Sequence, residues 1–162
     1  MNNLIPIKRH QAFVAFSRDH HFGLLLSWKI KQGLHAVSNP ERITNYLLFF
    51  FEESLRQHFR EEEQYLFSKL PVDDPLRSRA EAEHRNIYRL VQSLRLRKTD
   101  KDLLNEFADT LEQHIRFEER TFFNHLQEHV ETGVLEGMPA HPEQSNREMD
   151  DRWDDKFWEI KK

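Results

Sequence analysis

Apolar residues recur at helical spacing in four stretches of this chain, and breakers separate the stretches. Residues 9–37 offer Phe13, Phe16, Leu24 and Leu34. Residues 40–69 carry Leu47, Phe51, Leu55 and Leu66. Ile87, Val91 and Leu94 line residues 75–97, and Phe107, Leu111 and Phe122 line residues 100–131. Pro6 precedes the first stretch. Asn39-Pro40 reads as an N-cap followed by proline at the first helical position. Pro71 and Pro75, with Asp73 and Asp74 between them, form a breaker, and Thr99-Asp100 reads as a further N-cap. Gly133 reads as a C-terminal cap. Four long helices with short connections predict an all-α, up-down-up-down four-helix bundle over residues 1–133. Residues 134–162 form a polar tail with Pro139 and Pro142, until DDRWDDKFW gathers Trp153, Phe157 and Trp158. Such a cluster is expected to fold back on the bundle or to contact a partner subunit, so an oligomer through the tail stays open.

The stripes have holes, and polar residues fill them. Between Leu55 and Leu66 the inward positions are His58 and Glu62, and between Leu111 and Phe122 they are His114 and Glu118. His84 precedes Ile87 and Val91 at the same periodicity, and His20 lies between Phe16 and Leu24. Residues four apart share a helix face, so each His-x-x-x-Glu presents an imidazole and a carboxylate together. A carboxylate left unpaired among Phe and Leu side chains costs several kcal/mol or more. Two divalent metal ions explain both carboxylates and all four imidazoles at once. The arrangement repeats: each half of the chain gives a lone His and then a His-x-x-x-Glu. The spacing alone is a weak signal, and its strength lies in the combination with the apolar stripes.

Composition changes this picture little. The chain has 162 residues, thirteen Phe and only four Gly, which favours helix over sheet. A net charge of −4 offers no basic surface for nucleic acid. The absence of Cys excludes disulfides, thiolate metal sites and Cys nucleophiles. The start lacks the apolar run of a secretory signal, and no run reaches the roughly 18–20 residues that span a bilayer, so a cytoplasmic protein is expected. The ten His are the one unusual feature of the composition.

At these residues the sequence resembles the hemerythrin-like, or HHE cation-binding, family. FSRDHHFGL, HFREEEQYLF, EAEHRNIY and HIRFEERTFF carry the resemblance, spread over roughly residues 10–130. It implies a four-helix bundle with a non-heme diiron site whose ligands are His20, His58, Glu62, His84, His114 and Glu118, the two Glu being bridges. Members bind oxygen or nitric oxide, or sense or handle iron. Oxygen carriers have a second His one turn before the third-helix ligand, where this chain has Ala80. The four-His, two-Glu set looks more like the diiron proteins linked to nitric oxide stress and repair of iron centres. Those proteins carry a cysteine-containing segment that this chain lacks.

Alternatives sit beside several of these residues. A solvated helix face is the plain reading of His58, Glu62, His114 and Glu118, and their apolar neighbours argue against it. A core histidine bonded to a carboxylate is the plain reading of His84. His21 competes with His20, and Glu119 with Glu118. Glu81 lies near the vacant Ala80 position. Glu61, Glu63 and Glu119 are expected to face solvent or support the ligands, and His125 and His129 to cap a helix end. The functional expectation is a diiron protein binding O2 or NO as sensor, store or carrier. A diiron oxidase or an NO or peroxide reductase is the alternative, and a metal-free helical interaction module leaves the buried polar cluster unexplained.

Overall fold

The computed structural model of the protein describes residues 9–138 and 146–159. Pro6, Pro139, Pro142 and His141 lie outside the described residues. Four long helices dominate: α1 (Val14–Ala36), α2 (residues 41–66), α3 (Pro75–Leu96) and α4 (residues 101–129), followed by the short α5 (Thr132–Glu136) and α6 (Asn146–Asp151). Among the described residues there is no strand.

Local chemistry sets the starts. The Asp74 side chain accepts from the Leu76 and Arg77 N–H groups with Pro75 at the first position. Asp100 accepts from Leu103, and Asn39 from Glu41. A single 3-10 turn, Gln11–Phe13, leads into α1, and the His10 ring caps it by accepting from the Ala12 N–H. The first helix therefore begins a few residues later than its hydrophobic pattern suggests.

The expected cap at Gly133 is corrected. α4 ends at His129 because Val130 turns extended and buries its side chain. Gly133 lies inside α5, and no described glycine has a positive φ.

Consecutive helices run antiparallel. His58 meets Asp19 and Tyr46 meets Lys29 between α1 and α2. His84 meets Glu63 and Arg95 meets Glu52 between α2 and α3. His114 meets Glu83 and Phe117 meets Arg79 between α3 and α4. His20 meets Glu119 and Lys31 meets Asp109 between α1 and α4. These pairings run each long helix against the next in an all-α bundle.

Two apolar clusters fill it. One gathers Leu26, Ile30, Tyr46, Leu47, Phe51, Leu90, Leu94 and Phe107 among others, and the other gathers Phe13, Phe16, Leu66, Phe67, Phe117, Phe122 and Phe123 among others. On α1 the buried stripe beyond His20 is Gly23, Leu26, Ile30 and Gly33. Leu24 and Leu34 are only half-buried, because the pattern drifts by one position along this helix. Gly23 allows a close approach: a Cβ there would stand 2.6 Å from Ile115 Cδ1 on α4.

The tail folds back on the first cluster. Trp153 stacks on Phe49 at 4.8 Å, and Phe157 is buried. Asp150 accepts from the Lys29 ammonium at 2.7 Å and from the Tyr46 hydroxyl at 2.6 Å. Lys29 also lies 4.1 Å from the centre of the Trp158 ring. Burial lowers the Lys29 pKa, against the opposing pull of Asp150.

Gly33 reports on this docking. A Cβ there would lie 2.7 Å from Phe157 Cε2 and 2.9 Å from Ile43 Cδ1. Gly→Ala inside a helix ordinarily gains up to about 1 kcal/mol, whereas overpacking costs about 1–3 kcal/mol. Gly33→Ala is expected to destabilise the protein in denaturant unfolding. Combining it with Phe157→Ala should shrink that penalty, and a strictly additive double mutant counts against the contact.

Candidate metal centre

Three turns of the long helices are wider than α-helical, and two of them start at the key glutamates. The Phe67 N–H bonds the Glu62 carbonyl, and the Phe123 N–H bonds the Glu118 carbonyl, each five residues back. The third wide turn spans Phe51–Leu55. Beyond each glutamate two successive residues are buried, Leu66 with Phe67 and Phe122 with Phe123. Wide turns of this kind gather at functional sites.

His20, His58, Glu62, His84, His114 and Glu118 meet at mid-height between the apolar clusters, each at most 3% exposed. All six expected residues are brought together. His21 is exposed, so His20 is the inward residue of that pair. Glu119 does not enter the centre. Glu81 is likewise outside it, 3.6 Å from Arg77 on the helix surface, because Ala80 and not Glu81 faces inward.

Glu62 and Glu118 each reach both halves of the cluster. Glu62 oxygens lie 3.3 Å from His20 Nε2, 3.2 Å from His58 Nε2 and 3.1 Å from His84 Nε2. Glu118 Oε1 lies 3.3 Å from His20 Nε2 and 2.7 Å from His114 Nε2. Two donor sets result: His20, His58, Glu62 and Glu118, and Glu62, His84, His114 and Glu118, each with its ligand atoms within 4.8 Å of one another. Aromatic rings wall the cluster. Phe59 stacks on His84 at 3.9 Å, Phe123 stacks on His20 at 5.4 Å, and Phe16 stands edge-on to His58.

The other ring nitrogen of every histidine meets a carboxylate. His20 Nδ1 donates to Glu119 at 2.7 Å, His58 Nδ1 to Asp19 at 3.0 Å, His84 Nδ1 to Glu63 at 2.7 Å and His114 Nδ1 to Glu83 at 2.7 Å. With Nδ1 as donor, each Nε2 turns a lone pair toward the centre, the arrangement that orients metal-ligating histidines. Glu63 and Glu119 are thus supports, one of the two roles their positions suggest. Asp19 and Glu83 join them without a signal in the apolar pattern, although each directly precedes a ligand-position histidine. Glu61 instead accepts from Gln57. His129 Nδ1 donates to the His125 carbonyl near the end of α4, as expected of a cap. His125 Nε2 instead ties α4 to Asp74 at the start of α3.

A cation suits these atoms. The Nε2 atoms of His20, His58 and His114, Oε2 of Glu62 and both oxygens of Glu118 are buried without hydrogen-bond partners. Lone pairs of nitrogen and oxygen at such distances repel unless a proton or a metal ion stands between them. The model matching the chain is that of the hemerythrin HHE cation-binding domain, over residues 9–126. This chain belongs to the hemerythrin HHE family. No curated protein and no solved structure matched the chain. Membership of a cation-binding family and the convergent donors make this a metal-binding hemerythrin-like protein. No helix among the described residues is long and apolar enough to cross a membrane.

Without a cation, protons hold the hemerythrin-like cluster together. Burial would lower the His58 and His114 pKa values, but Glu62 with Asp19 at His58, and Glu118 with Glu83 at His114, outweigh it and push both up to about 9. His20 is raised as well, its burial outweighed by Glu118, Glu119 and Glu62. Burial would raise Glu62, but His58, His20 and His84 hold it well below the usual range.

Raised histidine values stabilise the metal-free fold fully below about pH 6.5, and that contribution is lost as pH rises through about 9. Metal binding needs neutral imidazoles, so its proton competitor weakens over the same window. The gap in melting temperature between metal-loaded and metal-free protein is therefore expected to widen from pH 6.5 to 9. A gap that narrows with rising pH would count against the cluster as the metal centre.

Proposed function

We propose that this chain is a non-heme diiron protein of the cytoplasm that binds a small molecule, O2 or NO, as a sensor, store or carrier, or in handling iron, nitrosative or oxidative stress. The observation that carries the reading is that Glu62 and Glu118 belong to both donor sets while each histidine belongs to one. His20 and His58 would be the terminal ligands of one ion, His84 and His114 those of the other, and the two glutamates the bridges. Imidazole with carboxylate suits iron.

Four protein donors per ion leave positions for a further ligand, and bound iron supplies the electrons and the open positions that O2 or NO requires. The residues around it set what enters. Phe16, Phe59, Phe67 and Phe123 pack against the histidine rings, which keeps out water and large solutes and favours a small uncharged molecule. A groove of about 470 Å³ lies beyond Phe16, lined also by His10, Arg18, Tyr65 and Leu135. Phe16 stands between that groove and His58, 6.0 Å from the imidazole centre.

Purified protein is expected to hold close to two iron ions per chain and to change its optical spectrum on exposure to O2 or NO. Glu62→Ala and Glu118→Ala each remove a contact to both ions and a negative charge between them. They should leave one ion or none. His84→Ala removes one contact and no charge, so it should retain more metal. His129→Ala and Glu81→Gln should keep full occupancy. Reproducible binding of one ion by the unaltered protein, or two ions retained by both Glu variants, would refute the bridged pair.

A further inference from the structure

The four carboxylates behind the histidines form a closed ring with one direction. Asp19 of α1 takes the Nδ1 proton bond of His58 on α2, and Glu63 of α2 that of His84 on α3. Glu83 of α3 takes that of His114 on α4, and Glu119 of α4 returns to His20 on α1. Every acid neighbours a cluster residue in sequence: Asp19-His20, Glu62-Glu63, Glu83-His84 and Glu118-Glu119. The twofold repeat of the ligands therefore extends to their supports.

We propose that Asp19, Glu63, Glu83 and Glu119 set the oxidation state of the centre, holding a bound iron pair in its trivalent form. This rests on the diiron reading. An anion on Nδ1 draws the imidazole proton toward itself and makes Nε2 a stronger donor, which favours the more highly charged ion. All four imidazoles are treated alike, at 2.7–3.0 Å. With Glu62 and Glu118, the ring places six carboxylates on or one hydrogen bond from the site. Two trivalent ions match that charge, whereas two divalent ions leave a negative excess, which weighs most at the buried Glu62 and Glu118 and at Asp19 and less at the partly exposed Glu63, Glu83 and Glu119. Arg9 and Arg79 pair with Glu119 and Glu83 near the surface, where solvent weakens them. The chemical consequence is a centre that rests oxidised and responds to reductant, which fits a redox or nitrosative sensor better than a reversible oxygen store.

The test uses the full chain loaded with iron. Metal analysis of the unaltered protein judges the diiron reading first, independently of any potential. Asp19→Asn, Glu63→Gln, Glu83→Gln and Glu119→Gln keep the side-chain shape and remove the charge. Redox titration against mediator dyes is expected to show a higher potential in each, with the ratio of oxidised to reduced iron at fixed poise falling about tenfold, the size of effect that loss of such a partner has on metal affinity. That factor is about 59 mV for a one-electron step. Glu63→Gln combined with Glu83→Gln should shift further than either. Glu112→Gln removes the same charge from a surface pair with Arg116 and should leave the potential in place. Glu63, 41% exposed, is the position at which substitution least endangers folding, and Glu63→Ala there should shift the potential in the same sense. Full iron content with unmoved potentials overturns the proposal. So does loss of iron from all four amide variants, since the ring then only holds the ligands in place.

Discussion

Two glutamates with no solvent exposure stand at the centre of this bundle, and their neutralisation is the constraint on which the structure depends. Glu62 and Glu118 are each 0% exposed between two apolar clusters. Carboxylates in such a place persist only beside compensating positive charge. Four imidazoles converge on them, and protons or cations complete the balance. The wide turns that begin at these residues belong to the same constraint. At these turns a carboxylate faces inward while the apolar residues beyond it, Leu66 with Phe67 and Phe122 with Phe123, still pack.

The outer carboxylates convert that local balance into architecture. Each His–carboxylate bond joins two different helices, and four such bonds close a circuit around the bundle axis. Apolar packing fixes how closely helices approach but is tolerant of small rotations. A closed circuit of directional hydrogen bonds is not, because rotating one helix breaks a bond on each side of it. The ring therefore sets the rotation of all four helices together, and with it the aim of each Nε2. Networks of directional hydrogen bonds specify one arrangement in this way.

Much of this is legible in the sequence. The helices, their order and the six central residues follow from stripes whose gaps are filled by His and Glu at spacing four. The neighbours Phe16 and Leu24 favour His20 over His21. His20 does face inward, though Leu24 is only half-buried and Gly23 takes the inward place. The features that escape have physical causes. Wide turns leave no mark on hydrophobic spacing, since they add a single residue that adjacent aromatics absorb. Asp19 and Glu83 look like surface acids, because a side chain half outside the core has no periodicity of its own. Their signal is adjacency, an acid directly before each lone histidine, repeated in both halves of the chain. Gly133 misleads because Val130, an apolar residue, ends α4 by burying itself.

The two ends of the bundle are closed by different physics. At the end holding Phe13, Phe67 and Phe123, the seal is mainly apolar, completed by Leu135 of α5. At the other end the tail brings Asp150 onto a buried lysine of α1, Lys29, beside Tyr46 of α2. A buried ammonium without its carboxylate costs far more than an apolar contact of similar area. Lys29 thus gives the tail a specific docking position that Trp153 and Phe157 alone would not define. That polar anchor joins the cluster containing Phe51, Phe59 and Leu111, which borders the histidine layer. Among the described residues the tail therefore bears on the centre through packed side chains, without contributing a ligand to it. At the apolar end Phe16 lines the groove and stands edge-on to His58, so the groove and the anchor of the tail lie at opposite ends of the same buried charge.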